Sequence, residues 1–191
     1  MLSSLTTLAT LFSPLLTNPA SYHLLSYSTL LGTSFYQTFI NTKICYLALP
    51  RSAFTALQKR IFPVYFACQA TLLVLSALTF PPHGFVSLVR HKADWVSYVV
   101  AFVAAVLNLG LYGPRTAVAM GLWAHQETRD AKARAQGRFV DAGEEVSVEM
   151  KKLRRVFARN HAMCIHLNLV SIGAMLVCGW RLAGRVVVDV E

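Results

Sequence analysis

Four stretches of this 191-residue chain, residues 22–49, 61–80, 95–113 and 162–182, are dominated by apolar side chains and contain no aspartate or glutamate. Each approaches or exceeds the roughly 20 helical residues that cross a hydrocarbon core of about 30 Å. Composition points the same way: 55% of residues are hydrophobic and 14% charged, against about 25% charged in an average soluble domain. A mean hydropathy of +0.48 implies more apolar surface than one water-facing core can hide. The expected fold is all-α, an integral membrane bundle of four transmembrane helices with a basic amphipathic cytosolic helical loop over about 115–160.

Local signals set the expected helix ends. Asn18 before Pro19 has the form of an N-cap with proline at the first helical position. Pro50, Arg51 and Ser52 make a turn in which Ser52 is placed to cap the second helix, with Phe54, Leu57 and Ile61 on one face. Pro81, Pro82 and Gly84 stop that helix. Asp94 is placed as the N-cap of the third span, and Gly113-Pro114 is expected to kink its end. The water-facing region continues that helix to about Gln136 and breaks at 137–143. A further helix is expected from Glu144, with Asp141 and Glu144 as a capping box. In this last helix Val146, Met150, Leu153 and Phe157 form an apolar stripe beside Lys151, Lys152, Arg154, Arg155 and Arg159. Residues 1–21 are an apolar N-terminal extension, expected to be interfacial or disordered, and 22–191 form the membrane domain. The extension has neither the basic n-region of a signal peptide nor the arginines of a mitochondrial presequence.

Charge sets the orientation. Arg51, Lys59 and Arg60 share a side with the ten basic residues from Arg115 to Arg159, whereas the other side receives Arg90, Lys92, Arg181 and Arg185. By the positive-inside rule, loops 50–60 and 115–160 are cytosolic and both termini face the lumen or exterior. An endomembrane location follows as the expectation. The basic excess is then explained by topology and by anionic lipid, and nucleic-acid binding is not expected because no recognition fold surrounds it.

The chemistry-bearing residues are few. The absence of carboxylates from the spans removes the usual proton relay and the paired acids of many membrane enzymes, so no catalytic residue, cofactor or metal is assigned. Cys45, Cys68, Cys164 and Cys178 lie in apolar stretches without zinc-site spacing. Gln37, Asn41, Gln69, Asn108, His166 and Asn168 would be penalised by lipid and are expected to point inward, chiefly as interhelical hydrogen-bonding groups. Among them Gln37, Asn41, Asn108 and Asn168 are the candidate intramembrane network.

The sequence resembles the transmembrane protein 205 family, small four-span proteins of eukaryotes. The resemblance lies in Leu49-Pro50-Arg51 with Phe54, Leu57 and Gln58, and in Phe62-Pro63 with Tyr65-Phe66. It continues in Pro114-Arg115-Thr116 with Ala119-Met120, and in Phe157, Arg159, His161, Asn168 and Leu169. It covers roughly Tyr22 to Val177, apart from about Glu127 to Met150, and implies a four-span topology without supplying an activity. On that topology every motif lies near a cytosolic helix end, so Arg51, Gln58, Arg115, Arg159 and His161 would form a donor-rich collar suited to phosphate or carboxylate. The function expected from these features is that of a noncatalytic membrane protein engaging anionic lipid or a protein partner at its cytosolic face. The alternative is a small-molecule or ion transporter or export-associated protein acting as a homo-oligomer. The collar predicts that native mass spectrometry finds an anionic lipid on the purified chain and that Arg115→Ala with Arg159→Ala removes it; retention by the double variant contradicts the collar.

Overall fold

The computed structural model describes residues 18–136 and 147–185. The N-terminal stretch up to residue 17 and the expected break and capping box at Asp141 and Glu144 lie outside the described residues. All regular structure among the described residues is helical: α1 (Pro19–Phe35), a π-helical turn π1 (Tyr36–Asn41), α2 (Thr42–Ala48), α3 (Arg51–Leu78), α4 (Phe85–Arg90), α5 (Lys92–Leu107), a second π-helical turn π2 (Asn108–Tyr112), α6 (Gly113–Ala135) and α7 (Val148–Ala183). The segments α1, π1 and α2 run on without interruption, as do α5, π2 and α6, so the described residues form four long rods.

Among the described residues, three helical stretches are long and apolar enough to cross a membrane: Arg51–Leu78, Lys92–Ala135 and Val148–Ala183. The first rod is not among them, so three of the four expected spans have that length and hydropathy. Its sequence carries His23, Gln37, Asn41 and Lys43 together with many Ser and Thr residues, and these lower its hydropathy. The rods nevertheless pack closely, α1 against α3, α3 against α5, α5 against α7, and α6 against α7. Large apolar side chains such as Val74 and Leu75 on α3, Val103 and Val106 on α5 and Leu176 and Val177 on α7 are exposed. That outward apolar surface is what a lipid-facing helix presents.

The helix ends follow local chemistry, with two corrections. Asn18 caps α1, its Oδ1 accepting from Ala20 N at 2.9 Å. The Pro81-Pro82 stop also holds: α3 ends at Leu78, and Gly84 turns the chain at φ +67°, where an added Cβ would lie 2.5 Å from the Leu78 carbonyl oxygen. Ser52 is not a cap, because α3 already starts at Arg51 after Pro50. Asp94 is not one either. Helix α5 begins two residues earlier, which leaves the carboxylate free to accept from Arg181 Nε at 2.6 Å and from Arg185 Nη2 at 2.5 Å, at the far end of α7. The last helix is described from Val148, capped by Ser147 Oγ, which accepts from Met150 N and donates to the buried Asp130 on α6 at 2.8 Å. It then continues as one 36-residue rod, about 54 Å long.

Tyr27, Leu30, Leu73, Phe80, Leu88, Tyr98, Ala101, Ala105, Met175 and Cys178 make one core cluster at the end of the bundle opposite the basic loops. Two polar ties cross it: His23 Nδ1 meets the Ser76 carbonyl oxygen at 2.8 Å, and Tyr27 Oη donates to the Met175 carbonyl at 2.7 Å. The second needs Gly179, where an added Cβ would lie 2.1 Å from Tyr27 Oη. Gly179→Ala is therefore expected to destabilise the folded chain by about 1–3 kcal/mol. Adding Tyr27→Phe, which removes the clashing hydroxyl, is expected to restore part of the loss in thermal unfolding in detergent.

Candidate functional site

At the other end of the bundle the rods do not close. A cavity of about 400 Å³ lies between them, lined by π1, α2, α3, π2, α6 and α7, a size within the usual range of small-molecule sites. Its wall is mostly apolar, with Phe62, Pro63, Phe66, Leu109, Met120 and Ile165, and its polar lining includes Gln37, Gln58, Lys59, Asn108, His161 and Asn168.

The backbone around this cavity repeatedly departs from the α-helix. Gln37 and Thr38 come from π1, and Asn108 and Leu109 from π2. Short π-turns of this kind occur mostly at functional sites. The second is set up by sequence. Pro114 has no N–H and its ring crowds the carbonyl four residues back, while the wide turn ends in a bond from Gly113 N–H to the Asn108 carbonyl. Only glycine fits at 113, since a Cβ would lie 2.4 Å from that carbonyl oxygen. In α3, Pro63 lies inside the helix and leaves the Lys59 carbonyl without its usual donor.

A polar network forms the inner wall. Asn168 donates through Nδ2 to Thr38 Oγ1 at 2.8 Å and accepts at Oδ1 from Tyr65 Oη at 2.7 Å and Gln69 Nε2 at 3.3 Å. One amide thus joins the first rod, α3 and α7. Asn108 is fully buried and donates through Nδ2 to the Cys164 carbonyl at 3.1 Å. A carbonyl can only accept, so the amide is fixed with Oδ1 on the other side, where it has no protein partner. Gln58 is 1% exposed, and neither Oε1 nor Nε2 has a protein partner. Leaving such groups unmet costs about 1–3 kcal/mol each.

The residues singled out from sequence divide between this cavity and its surroundings. Gln37, Gln58, Asn108, His161 and Asn168 line it. Asn41 does not; it donates to Gln37 Oε1 at 2.7 Å within its own helical segment. Arg51 is exposed at the start of α3, paired with Glu127 at 3.1 Å and stacked 4.5 Å over Trp123. From there an aromatic ladder leads inward: Trp123 lies 5.2 Å from Phe157, and Phe157 stacks at 5.2 Å on His161. Arg115 and Arg159 are exposed and do not join the others. Residues 159 and 161 are two apart on one helix, about 200° around it, so they cannot share a face. The seven-residue step from Asn108 to Arg115 holds in a regular α-helix, but π2 adds a residue to the intervening turn and rotates the helix beyond it by about 100°. His166, expected inside, is exposed and turned onto its own helix at the Ala162 carbonyl. Of the six polar residues, Gln69, Asn108 and Asn168 make the expected interhelical bonds, while Gln37 and Asn41 bond locally. Sequence reasoning misses Thr38, Tyr65 and Lys59 as parts of the site. Tyr65 lies in a motif and Lys59 follows Gln58 directly, but neither position alone signals a cavity.

Among the described residues, no three His, Cys, Asp or Glu side chains come together in a way that could hold a metal ion. Asn168→Ala should cost about 1–2 kcal/mol of stability, because it releases bonds to two other rods. Asn41→Ala, which loses only local bonds, should stay within about 0.5 kcal/mol when both are compared by thermal unfolding in detergent.

Residues 25–123 match a family described as a domain of unknown function, DUF4149. That match takes in every cavity-lining element except α7. The chain is also 39% identical over 166 residues to the xanthocillin biosynthesis cluster protein D of Aspergillus fumigatus, covering 87% of this chain and 90% of that protein. No solved structure matches the chain.

Proposed function

The chain belongs to the DUF4149 family, and we propose that this member is a noncatalytic multi-pass membrane protein that takes a small, largely apolar molecule into the cavity between its helices. The observation that carries the reading is the cavity itself: about 400 Å³, apolar-walled, with the buried amides of Gln58 and Asn108 incompletely hydrogen-bonded in its wall. A purely structural network would be expected to satisfy such groups within the protein.

This favours a transporter or export-associated role, acting as a homo-oligomer, over the adaptor reading built on a basic collar. The relative's name places that protein in a biosynthesis cluster, a setting in which a membrane component handling a small product is at home. A role in engaging anionic lipid or a protein partner along the basic end of α7 is compatible with the same fold. Membership of the transmembrane protein 205 type, a four-span topology and a cytosolic 115–160 loop belong to the proposal too. The first rod is about 45 Å long and exposes Leu24, Leu25, Phe39, Ile40 and Ile44, which suits a fourth, more polar span held against α3 and α7.

The test is to fill the cavity. Ala117 lines it, and Ala117→Trp is expected to keep the fold while removing a small molecule that native mass spectrometry finds on the wild-type chain purified from eukaryotic membranes. Identical spectra from the two proteins, with unchanged thermal stability, would contradict the proposal.

A further inference from the structure

The cavity has a charge asymmetry that its apolar walls do not require. Among the described residues no aspartate or glutamate lines it, whereas Lys59 does. The Lys59 side chain is half-buried and lies against α6, where Gly121 leaves room for it: a Cβ there would be 3.3 Å from Nζ. Among the described residues Lys59 forms no ion pair. Three of the four described carboxylates have other partners: Arg51 at Glu127, Arg181 and Arg185 at the buried Asp94, and Gln126 and Ser147 at the buried Asp130. Beside Lys59 in sequence, the Gln58 amide is covered in the cavity wall and held by no hydrogen bond, so it can turn to donate to a neighbouring head group. His161 supplies a third polar group to the same lining.

We propose that the cavity selects an amphipathic acid, an anionic head bound by Lys59 and Gln58 with an apolar tail against Phe62, Phe66, Met120 and Ile165. The inference rests on the small-molecule reading above and adds the ligand's chemistry to it. A half-buried ammonium with no carboxylate beside it among the described residues favours a carboxylate or phosphate over a neutral molecule of the same shape, and hydrogen bonds to a charged group are the strong ones. A free single-chain acid and an anionic phospholipid whose head reaches in present this same chemistry.

The full chain in phosphatidylcholine nanodiscs at neutral pH, photolabelled with a diazirine-bearing medium-chain fatty acid or with its methyl ester, tests the proposal. Labelled residues are located by peptide mass spectrometry. The acid is expected to label cavity residues at least about tenfold more than the ester. Lys59→Gln should bring the two to the same level without reducing the ester's labelling, and Lys59→Arg should retain the preference. Displacement of the acid by unlabelled octanoic acid identifies a free acid as the occupant, and displacement by phosphatidic acid alone identifies a lipid head; either upholds the selection for an anion. Equal labelling of the wild-type cavity by acid and ester overturns the acid preference and leaves the small-molecule site standing. Cavity labelling by neither probe overturns both.

Discussion

A polar side chain between helices in a bilayer cannot fall back on water, so each must find its partner in the protein or in whatever the protein binds. Asn168 meets that constraint most completely. Its amide gives to Thr38 and receives from Tyr65 and Gln69, and so fixes the first rod, α3 and α7 against one another. Similar ties hold the opposite end, where His23 meets Ser76, Tyr27 reaches Met175 and the buried Asp94 joins two arginines, Arg181 and Arg185, at the end of α7. With the rods pinned at both levels, the space left between them is a property of the fold rather than of loose packing. Single buried atoms without a partner also occur away from that space, at Gln69 Oε1, Tyr98 Oη and Trp123 Nε1, but among the described residues Gln58 is the amide with both atoms unbonded, and it lines the cavity.

The same region is where the backbone gives up regular hydrogen bonding. The turn at Tyr36–Asn41, the proline at 63 and the turn at Asn108–Tyr112 with Pro114 behind it come from three different rods, and residues from each line one cavity. A π-turn widens its helix and re-aims the side chains beyond it. Here it brings Thr38 to Asn168 and Asn108 to the Cys164 carbonyl. Gly113 permits the second of these turns and lies with its Cα hydrogens near Phe66, whose Cδ2 would be 3.7 Å from an added Cβ. The motifs Phe62-Pro63 and Pro114-Arg115-Thr116 thus have a physical reason in the shape of the cavity, independent of any activity.

Much of this fold is legible in the sequence because local signals act locally. Asn18-Pro19 starts a helix and Pro81-Pro82 with Gly84 ends one wherever they occur, and an asparagine flanked by apolar turns must be buried against something. The features that cannot be read are set by geometry at a distance. Asp94 has the chemistry of an N-cap, and only the position of the end of α7 turns it into the partner of Arg181 and Arg185. Ser147 gives no stronger capping signal than its acidic neighbours until Asp130 is seen beside it. Nearness to one end of the bundle does not fix which way a side chain points: Arg115 and Arg159 are exposed, whereas Gln58 and His161 line the cavity. In the sequence Lys59 is only a topological charge, since a cavity between six segments leaves no trace in the spacing of one of them.

A density map of the full chain, purified from a eukaryotic membrane with no ligand added, decides whether the space between π1, α2, α3, π2, α6 and α7 is a binding site or a packing defect. A binding site shows non-protein density beside Lys59 and within hydrogen-bonding reach of Gln58. A cavity closed by its own walls, with the Gln58 amide bonded to protein, rules that site out.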